Sequence, residues 1–330
     1  MSAQVAIAVV GASGHTGRFV VSEIERRGAT PIAIGRDTAK LPIGARAAGV
    51  EDAASLDAAL RDASAVINCA GPFFDTALPV IDAALRARIP YLDVTAEQLT
   101  ALNIHRKRDA AARRAGVTVV PAMAFYGGLG DLLASAACGG WDAPDSIDLA
   151  VALDGWHPTA GTRETSRRNT APRLIVRDGR LTPIPEPAPR RIWNFGDPFG
   201  ALEVVATPLT ETVLIAQHLT VNAVTAYMNL APLNDLRDPA TPSPEAVDGS
   251  GRSAQCFRVE VEARCVGAIR RASAAGRDIY AITAPLVVSA ALRLLDQGGR
   301  AGVLAPAQAF DARAFLEALA PQDVRVDLSS

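Results

Sequence analysis

The stretch that most constrains the fold lies near the amino terminus, where an apolar run leads into three evenly spaced glycines. Residues 5–10 read VAIAVV, Gly11, Gly14 and Gly17 follow at intervals of three, and residues 18–27 have a helical pattern. The apolar run predicts a buried parallel strand, and the glycines allow a tight reversal that brings bare backbone close to a ligand. The helix then directs its free N–H groups and the positive end of its dipole at that ligand, which suits a pyrophosphate.

The spacing GxxGxxG is one residue wider in its first interval than the GxGxxG fingerprint of dinucleotide-binding proteins. A glycine turn that binds no nucleotide, or one that binds a flavin or a methyl donor, is the alternative. The turn is the first strand-to-helix connection of the chain, where α/β folds place their phosphate site. Its position therefore favours a nicotinamide dinucleotide.

The end of the second predicted strand, residues 31–34, bears on the choice between NAD and NADP. The sequence continues Gly35-Arg36-Asp37, with Lys40 four residues after Arg36. An acidic residue at this place accepts the ribose hydroxyls of NAD, whereas an arginine accommodates the 2′-phosphate of NADP. We expect NADP(H), bound by Arg36 and Lys40. The alternative is that Arg36 is a solvated turn residue and Asp37 takes the ribose.

Strands and helices alternate through the first 120 residues, with a weak third strand at 45–50 and a fourth from residue 65. Alternation on this scale predicts a Rossmann-like, doubly wound parallel sheet. The fourth strand ends in small residues and a Gly-Pro turn, over which we expect the nicotinamide ribose to lie. The predicted cofactor-binding residues are Gly11, Ser13, Gly14, His15, Thr16, Gly17, Arg36, Lys40, Asn68, Cys69, Ala70, Gly71 and Pro72.

Four motifs together resemble the saccharopine dehydrogenase-type NADP-binding family. They are the glycine turn at 11–17, Gly35-Arg36-Asp37, the stretch INCAGPF at 67–73 and YLDVTAE at 91–97. The family includes saccharopine reductases, carboxynorspermidine dehydrogenases and trans-acting enoyl reductases. Glycine is frequent in the family where Ala96 stands, and a bulky residue where His15 stands. Residues 280–283 and 302–306 also look like the enoyl-reductase-like branch, in which the apolar segment at 281–298 returns to pack near the first domain.

The chain changes character after Pro121, where a glycine-rich crossing at 122–131 should line a cleft between domains. Asp131 is placed to cap the following helix. Six strands are then predicted between residues 146 and 266, several of them alternating polar and apolar residues, which is typical of a mainly antiparallel sheet. We expect a dinucleotide-binding domain at 1–122, a second α+β domain at 123–280 for substrate and dimerisation, and a carboxyl-terminal helical segment at 281–330.

The resemblance and the glycine turn together imply an NADP(H)-dependent oxidoreductase that transfers hydride to or from a C=N, C=C or C=O group of a small molecule. Lysine occurs only at positions 40 and 107, so the second domain has no lysine acid. Tyr126 and His157 are the preferred proton donors, with Tyr227, His218 and Tyr280 as the others. No metal-ligand spacing occurs. A nonenzymatic NADP(H) sensor, whose sheet domain binds a partner, is the alternative function.

Composition limits the other classes of function. The net charge is −2 and no block of like charge indicates a nucleic-acid surface. No signal peptide or membrane-spanning run is apparent, and the four cysteines lack CxxC spacing. These features predict a cytoplasmic protein with reduced thiols. Because helices are scarce between 146 and 266, we expect a homodimer through the antiparallel sheet.

Overall fold

The computed structural model describes residues 5–42, 44–141, 143–319 and 323–328. The chain forms two compact units, one of Met1–Ala124 with Thr283–Ala309, the other of Phe125–Ile282 with Phe310–Ser330. Strands and helices alternate in the amino-terminal part of the first unit. They are β1 (Ala6–Val10), α1 (His15–Arg26), β2 (Thr30–Gly35), β3 (Arg46–Ala47), α2 (Ala53–Ala59), β4 (Ala65–Asn68), α3 (Phe73–Ala87), β5 (Tyr91–Asp93), α4 (Gln98–Ala115) and β6 (Thr118–Val120).

The middle of the chain belongs to the second unit and is rich in strands, as its alternating pattern predicts. Its elements are α5 (Gly130–Cys138), β7 (Ser146–Leu153), α6 (Ala160–Arg168), β8 (Leu174–Arg177), β9 (Arg180–Pro183), β10 (Arg190–Asn194), β11 (Ala201–Ala206), α7 (Thr210–His218), β12 (Ala223–Asn229), α8 (Leu230–Arg237), β13 (Cys256–Cys265) and β14 (Ala268–Arg277). The carboxyl-terminal part contributes to both units. It contains α9 (Thr283–Gln297), β15 (Gly302–Val303), α10 (Pro306–Ala309), α11 (Ala312–Leu319) and β16 (Arg325–Asp327).

The first unit is built on a seven-stranded parallel sheet in the order β15-β6-β5-β4-β1-β2-β3. Six of these strands follow the order 3-2-1-4-5-6 of the dinucleotide-binding fold, which confirms the predicted Rossmann-like sheet. The strands are short and apolar, and β1 is buried along most of its length because helices cover both faces of such a sheet. The apolar helix α9 returns to this unit and packs against α1.

The second unit contains the mainly antiparallel sheet, in the order β10-β11-β12-β7-β13-β14-β16, with β8 on β12 and β9 on β8. Within this second sheet, only the β7–β12 pair is parallel among the strands that the structure describes. Alternate residues of β13 are buried, and α5 packs against β13 and β14. The predicted fold class is therefore confirmed for both sheets.

Three features of the second unit differ from the sequence prediction. The strand β14 was not foreseen, because its Ala, Ser and Arg residues lack the β-branched character of most strands. The idea that helices are scarce between 146 and 266 is wrong, since α6, α7 and α8 all lie there and α7 packs against β8 and β12. The predicted cap is also wrong, because α5 begins at Gly130 and Asp131 lies inside its first turn.

Candidate functional site

The glycine turn follows β1, the strand from which the sheet extends in both directions. Gly11 has a φ of +81°, and a Cβ there would lie 2.8 Å from the backbone nitrogen of Ala70, at the end of β4. A Cβ at Gly17 would lie 2.2 Å from the carbonyl oxygen of Gly11. Glycine at 11 and 17 thus lets β4 and α1 approach the turn closely.

The first turn of α1, which follows this glycine turn, contains neither an acidic residue nor a side-chain cap among the residues that the structure describes. Its cap residue, Gly14, has no side chain to accept a hydrogen bond, and the first turn contains no acidic residue. Gly14 is exposed, Ser13, His15 and Thr16 are half-buried, and Gly17 is buried beneath the turn. The dipole and the N–H groups of a helix start of this kind favour an anion, and a pyrophosphate fits them.

The close approach at Gly17 gives a first testable prediction. Gly17→Ala should lower the free energy of unfolding by about 1–3 kcal/mol, because the added methyl group has no room against the Gly11 carbonyl. Gly161→Ala, near the start of α6, is the matched control, since the nearest atom to its added Cβ is Thr159 Oγ1 at 3.7 Å. The control should be neutral or stabilising by about 0.5–1 kcal/mol. Urea unfolding measures both, and equal changes in the two variants would contradict the steric argument.

Arg36 and Asp37, at the end of β2, are the two alternative partners of the cofactor's ribose and its 2′-phosphate. Asp37 accepts a hydrogen bond from the backbone N–H of Ala39 at 3.1 Å and lies 3.2 Å from Lys40 Nζ. Arg36 is exposed and makes no hydrogen bond or ion pair within the part of the chain that the structure describes. The Arg36 guanidinium is therefore available to a ligand, whereas Asp37 and Lys40 are already joined by a solvent-exposed contact.

The end of β4 is organised by Asn68, whose side chain is buried. Its Nδ2 donates to Thr76 Oγ1 at 3.2 Å and to the Tyr91 hydroxyl at 3.3 Å, and its Oδ1 accepts from the Ala70 N–H at 3.0 Å. The Asn68 side chain thus shapes the loop from within instead of facing a ligand. Of the other residues predicted here, Gly71 is exposed and Cys69, Ala70 and Pro72 are half-buried.

Two buried carboxylates at the same edge were missed as site residues by the sequence analysis. Asp93 accepts hydrogen bonds from the N–H groups of Thr95 at 3.0 Å and Ala122 at 2.8 Å and from the Tyr91 hydroxyl at 2.9 Å. Burial raises the pKa of Asp93 to about 6, against these hydrogen bonds. Asp93 therefore holds the end of β5 to the residue that follows β6. Its place at the carboxyl end of an apolar strand was the available signal.

Glu97, the second carboxylate, caps the first turn of α3. It accepts hydrogen bonds from the N–H groups of Phe73 and Phe74, each at 2.9 Å, and from the Thr100 hydroxyl at 2.6 Å. The start of α3 is therefore occupied by a carboxylate of the protein. The first turn of α1, in contrast, has no acidic residue and no side-chain cap in the described part of the chain.

Tyr126 stands out among the five predicted proton donors. It lies in a kinked turn, Phe125–Leu129, where Gly127 has a φ of +115°. Its hydroxyl is enclosed and has no hydrogen-bond partner among the described residues, which is uncommon for a buried polar group. Burial, with smaller contributions from Tyr280 and Glu211, raises the pKa of Tyr126 well above its ordinary value, so the phenol keeps its proton.

The hydroxyl of Tyr280 is already saturated. It accepts hydrogen bonds from Trp156 Nε1 at 2.9 Å and the Thr159 N–H at 3.3 Å, and lies 3.0 Å from Thr162 Oγ1. Both lone pairs are used, and the proton is directed to Thr162. Tyr280 therefore holds the loop that contains Trp156 to the start of α6.

The remaining proton-donor candidates, His157, His218 and Tyr227, lie in three different environments. His157 is exposed and makes no hydrogen bond within the described ranges. His218 is bound to Asp131, with 2.6 Å between Nε2 and Oδ1. Tyr227 lies beneath Arg191, whose guanidinium carbon is 5.8 Å from the ring centroid. Of the arginines on α6, Arg163 donates to the carbonyl oxygens of residues 238 and 241 and so has a structural role.

Metal sites and membrane-spanning helices are two further classes of functional feature. No group of three or more His, Cys, Asp or Glu side chains in the described part of the chain is arranged to hold a metal ion. None of the helices in those same residues combines the length and apolar character needed to cross a bilayer.

The family model of the saccharopine dehydrogenase NADP binding domain matches residues 7–120. Residues 7–120 are therefore similar to saccharopine dehydrogenase NADP-binding domains. The resemblance inferred from the four motifs is thus confirmed for the part of the chain that contains them. The matched range begins in β1 and ends with β6, so it includes the glycine turn, Arg36 and the network around Asp93.

Two curated proteins and two solved structures are also similar to this chain. Saccharopine dehydrogenase-like oxidoreductases of Bos taurus and Homo sapiens are each 27% identical, over 146 and 149 residues, which is 36% of this chain and 34% of each relative. The match thus spans about a third of the curated relatives. Apo saccharopine dehydrogenase (L-Glu forming) from Saccharomyces cerevisiae has a TM-score of 0.63 at 13% identity, over 94% of this chain and 96% of its own. An engineered D-amino acid dehydrogenase bound to NADP+ has a TM-score of 0.53 at 14% identity, over 97% of both chains. At these identities the two structures show a shared fold.

Proposed function

We propose that the protein is an NADP(H)-dependent oxidoreductase that transfers hydride between the nicotinamide and a C=N, C=C or C=O group of a small molecule. The observation that supports this most is the glycine turn, where the start of α1 has no acidic partner and stands at the centre of a 3-2-1-4-5-6 sheet. A saccharopine dehydrogenase NADP-binding domain and the shared fold of dehydrogenases agree with it.

The cofactor would be held by residues of the first unit. The N–H groups at the start of α1 would bind the pyrophosphate, Arg36 the 2′-phosphate, and the loop from Cys69 to Pro72 would face the nicotinamide ribose. Asn68 and Asp93 would position that loop without contacting the cofactor. When bound, the cofactor supplies the hydride, while the protein orients the acceptor and moves the proton.

Cofactor choice provides the second prediction. Arg36→Asp replaces attraction to the 2′-phosphate with repulsion, and a charge-assisted contact of this kind is worth about 1.5–3 kcal/mol. NADPH affinity should fall tenfold or more, by about the factor that this energy implies, while NADH affinity changes little. Titration of both dinucleotides, followed by nicotinamide fluorescence, measures the two changes.

Arg61→Asp is the matched control, because it makes the same change of charge at an exposed residue preceding β4, at the opposite edge of the sheet. It should leave both affinities unchanged. Equal losses of NADPH and NADH affinity in Arg36→Asp would overturn the assignment of Arg36 to the 2′-phosphate.

Stereospecific transfer of deuterium separates the enzyme from the nonenzymatic sensor. NADPH labelled at one face of the nicotinamide is incubated with the protein and a broad panel of imines, enoyl compounds and ketones. Transfer of the label into any product supports the oxidoreductase. Tight NADPH binding without transfer to any acceptor would instead favour a sensor.

Oligomeric state and cellular location stay predictions. We propose a homodimer that forms through the polar face of the second sheet, where β13 presents Arg258, Glu260, Glu262 and Arg264. The helices between 146 and 266 remove the argument from scarce helices, so the proposal now rests on the edge strands of the sheet, whose backbone groups can pair with a second copy. A cytoplasmic location is expected from the sequence alone.

A further inference from the structure

Two charged side chains of the second unit, Arg173 and Glu211, interact electrostatically with Tyr126, and a third, Arg237, interacts with Arg173. Arg173 precedes β8, Glu211 lies in the first turn of α7, and Arg237 is the last residue of α8. Tyr126 interacts electrostatically with Arg173 and Glu211, and Arg173 with Glu211 and Arg237. Elements distant in sequence therefore direct two cations, one anion and one phenol at a common region.

Arg173 has more donor capacity than the protein uses. Its single hydrogen bond within the described chain runs from a terminal nitrogen to the carbonyl oxygen of Pro208, at 3.2 Å, and it forms no ion pair there. A guanidinium has five N–H donors, so most of them are open to a ligand. The residue stays exposed to solvent, while surrounding protein groups desolvate the guanidinium and lower its pKa. The guanidinium of Arg173 is therefore partly desolvated by the protein and still accessible from solvent.

Glu211 does not neutralise Arg173 by direct contact. Its buried carboxylate accepts a hydrogen bond from the Leu209 N–H at 2.8 Å and another from the backbone of Gly127. The carboxylate is thus used to hold the start of α7 to the kink beside Tyr126. Arg237, exposed and without a hydrogen bond or ion pair in the same described ranges, adds a second positive charge.

Tyr126 provides a neutral donor beside these cations. Its hydroxyl is enclosed and has no partner among the described residues, and its ring lies 5.6 Å from that of Trp156. An unpaired buried hydroxyl costs free energy, which a ligand oxygen would recover by accepting its proton in a hydrogen bond. The Trp156 indole is near enough to report such binding by its emission.

We propose that Arg173, Arg237 and Tyr126 form a subsite in the second unit that binds an oxyanion group, carboxylate or phosphate, of the substrate. The guanidinium of Arg173 binds the anionic oxygens in a fork, Arg237 adds attraction, and the Tyr126 hydroxyl donates to an oxygen of the same molecule. This proposal rests on the proposed function in one respect: the ligand of the subsite is taken to be the substrate.

The test measures anion binding without any dinucleotide. The full chain is titrated with sodium acetate and, separately, with inorganic phosphate at constant ionic strength, and tryptophan emission and the thermal midpoint are recorded. A Trp156→Phe variant identifies the source of the emission change. Arg173→Met should weaken anion binding about tenfold or more, and Arg173→Lys less, because lysine keeps the charge but not the fork.

Arg177→Met is the matched control, because Arg177 is an exposed arginine at the other end of β8. It should bind the anion as the unaltered chain does. Saturable binding of acetate alone assigns a carboxylate, and of phosphate alone a phosphate. An unaltered chain that binds neither anion, or an Arg173→Met variant that binds as tightly as the control, overturns the subsite. Because no cofactor is present, these failures leave the NADP(H) assignment untouched, and a failure to bind NADPH leaves the subsite untouched.

Discussion

Replacing Tyr126 with phenylalanine is expected to slow single-turnover hydride transfer by about 10²–10⁴-fold, the usual contribution of a positioned general acid. The rate is measured with the acceptor found by the labelled-NADPH screen. Stability should not fall, because the Tyr126 hydroxyl has no hydrogen-bond partner to lose among the described residues. Removing an unsatisfied buried hydroxyl is neutral or stabilising, by up to about 1–3 kcal/mol. Loss of rate without loss of stability distinguishes a chemical role from a structural one.

Tyr280→Phe is the informative control. It removes the acceptor of the Trp156 Nε1–H and Thr159 N–H bonds, so it should lower stability. Tyr126→Phe that retains the full single-turnover rate would remove Tyr126 as the proton donor.

The pH profile separates Tyr126 from His157 before any variant is made. Burial raises the pKa of Tyr126, so a Tyr126 donor keeps the rate flat to about pH 9 or beyond. A rate that instead falls between pH 5 and 8 would exclude Tyr126 as the donor and would favour a histidine.

Breaking the buried pair of Asp131 and His218 is expected to have the largest effect on stability. The side chains are 0% and 9% exposed, and the contact measures 2.6 Å. Asp131→Asn leaves His218 without a charged partner, which should lower the free energy of unfolding by about 3–5 kcal/mol. Asp57→Asn is the matched control, since the Asp57–Arg86 pair is 44% and 46% exposed and should contribute about 0–1 kcal/mol. Similar losses in the two variants would contradict the argument from burial.

The same pair should make stability depend on pH. Burial disfavours the charged imidazole, but attraction to Asp131 and the hydrogen bond that His218 donates to it outweigh burial and raise the pKa of His218 above its ordinary value of 6.5. A histidine whose pKa is higher in the folded state stabilises fully below its unfolded pKa and loses that contribution as pH rises through the folded value. The urea midpoint should therefore fall as pH increases above about 6.5. Asp131→Asn should lack this part of the pH dependence.

The sequence was most informative about features that are formed by residues close together in the chain. The glycine turn, the arginine after β2 and the Gly-Pro turn after β4 are each local patterns, and the parallel sheet follows from their alternation with helices. The structure adds why two of these glycines are required. Gly11 lies close to the end of β4, and Gly17 lies close to the carbonyl oxygen of Gly11 in the turn itself. The spacing of the glycines does not reveal these contacts.

Strands with atypical composition were harder to predict. The sequence analysis ended the last strand of the second sheet near Val266, yet β14 pairs with β13 along ten residues. Its side chains are stabilised by cross-strand packing and not by intrinsic propensity. The helices α7 and α8 were missed for a related reason: their apolar residues are buried in a helix although several are β-branched or flanked by strand-like patterns.

Local pattern determined the Rossmann-like sheet, the glycine turn and the exposed arginine beyond β2, because each depends on residues a few positions apart. Tertiary structure alone decided the rest. Asp131 meets His218 across 87 residues, Asp93 holds Ala122 across 29, and Arg173 and Glu211 reach Tyr126 from elements far along the chain. Burial, hydrogen bonding and charge at these places depend on packing, and packing brings together side chains that no periodicity in the sequence relates.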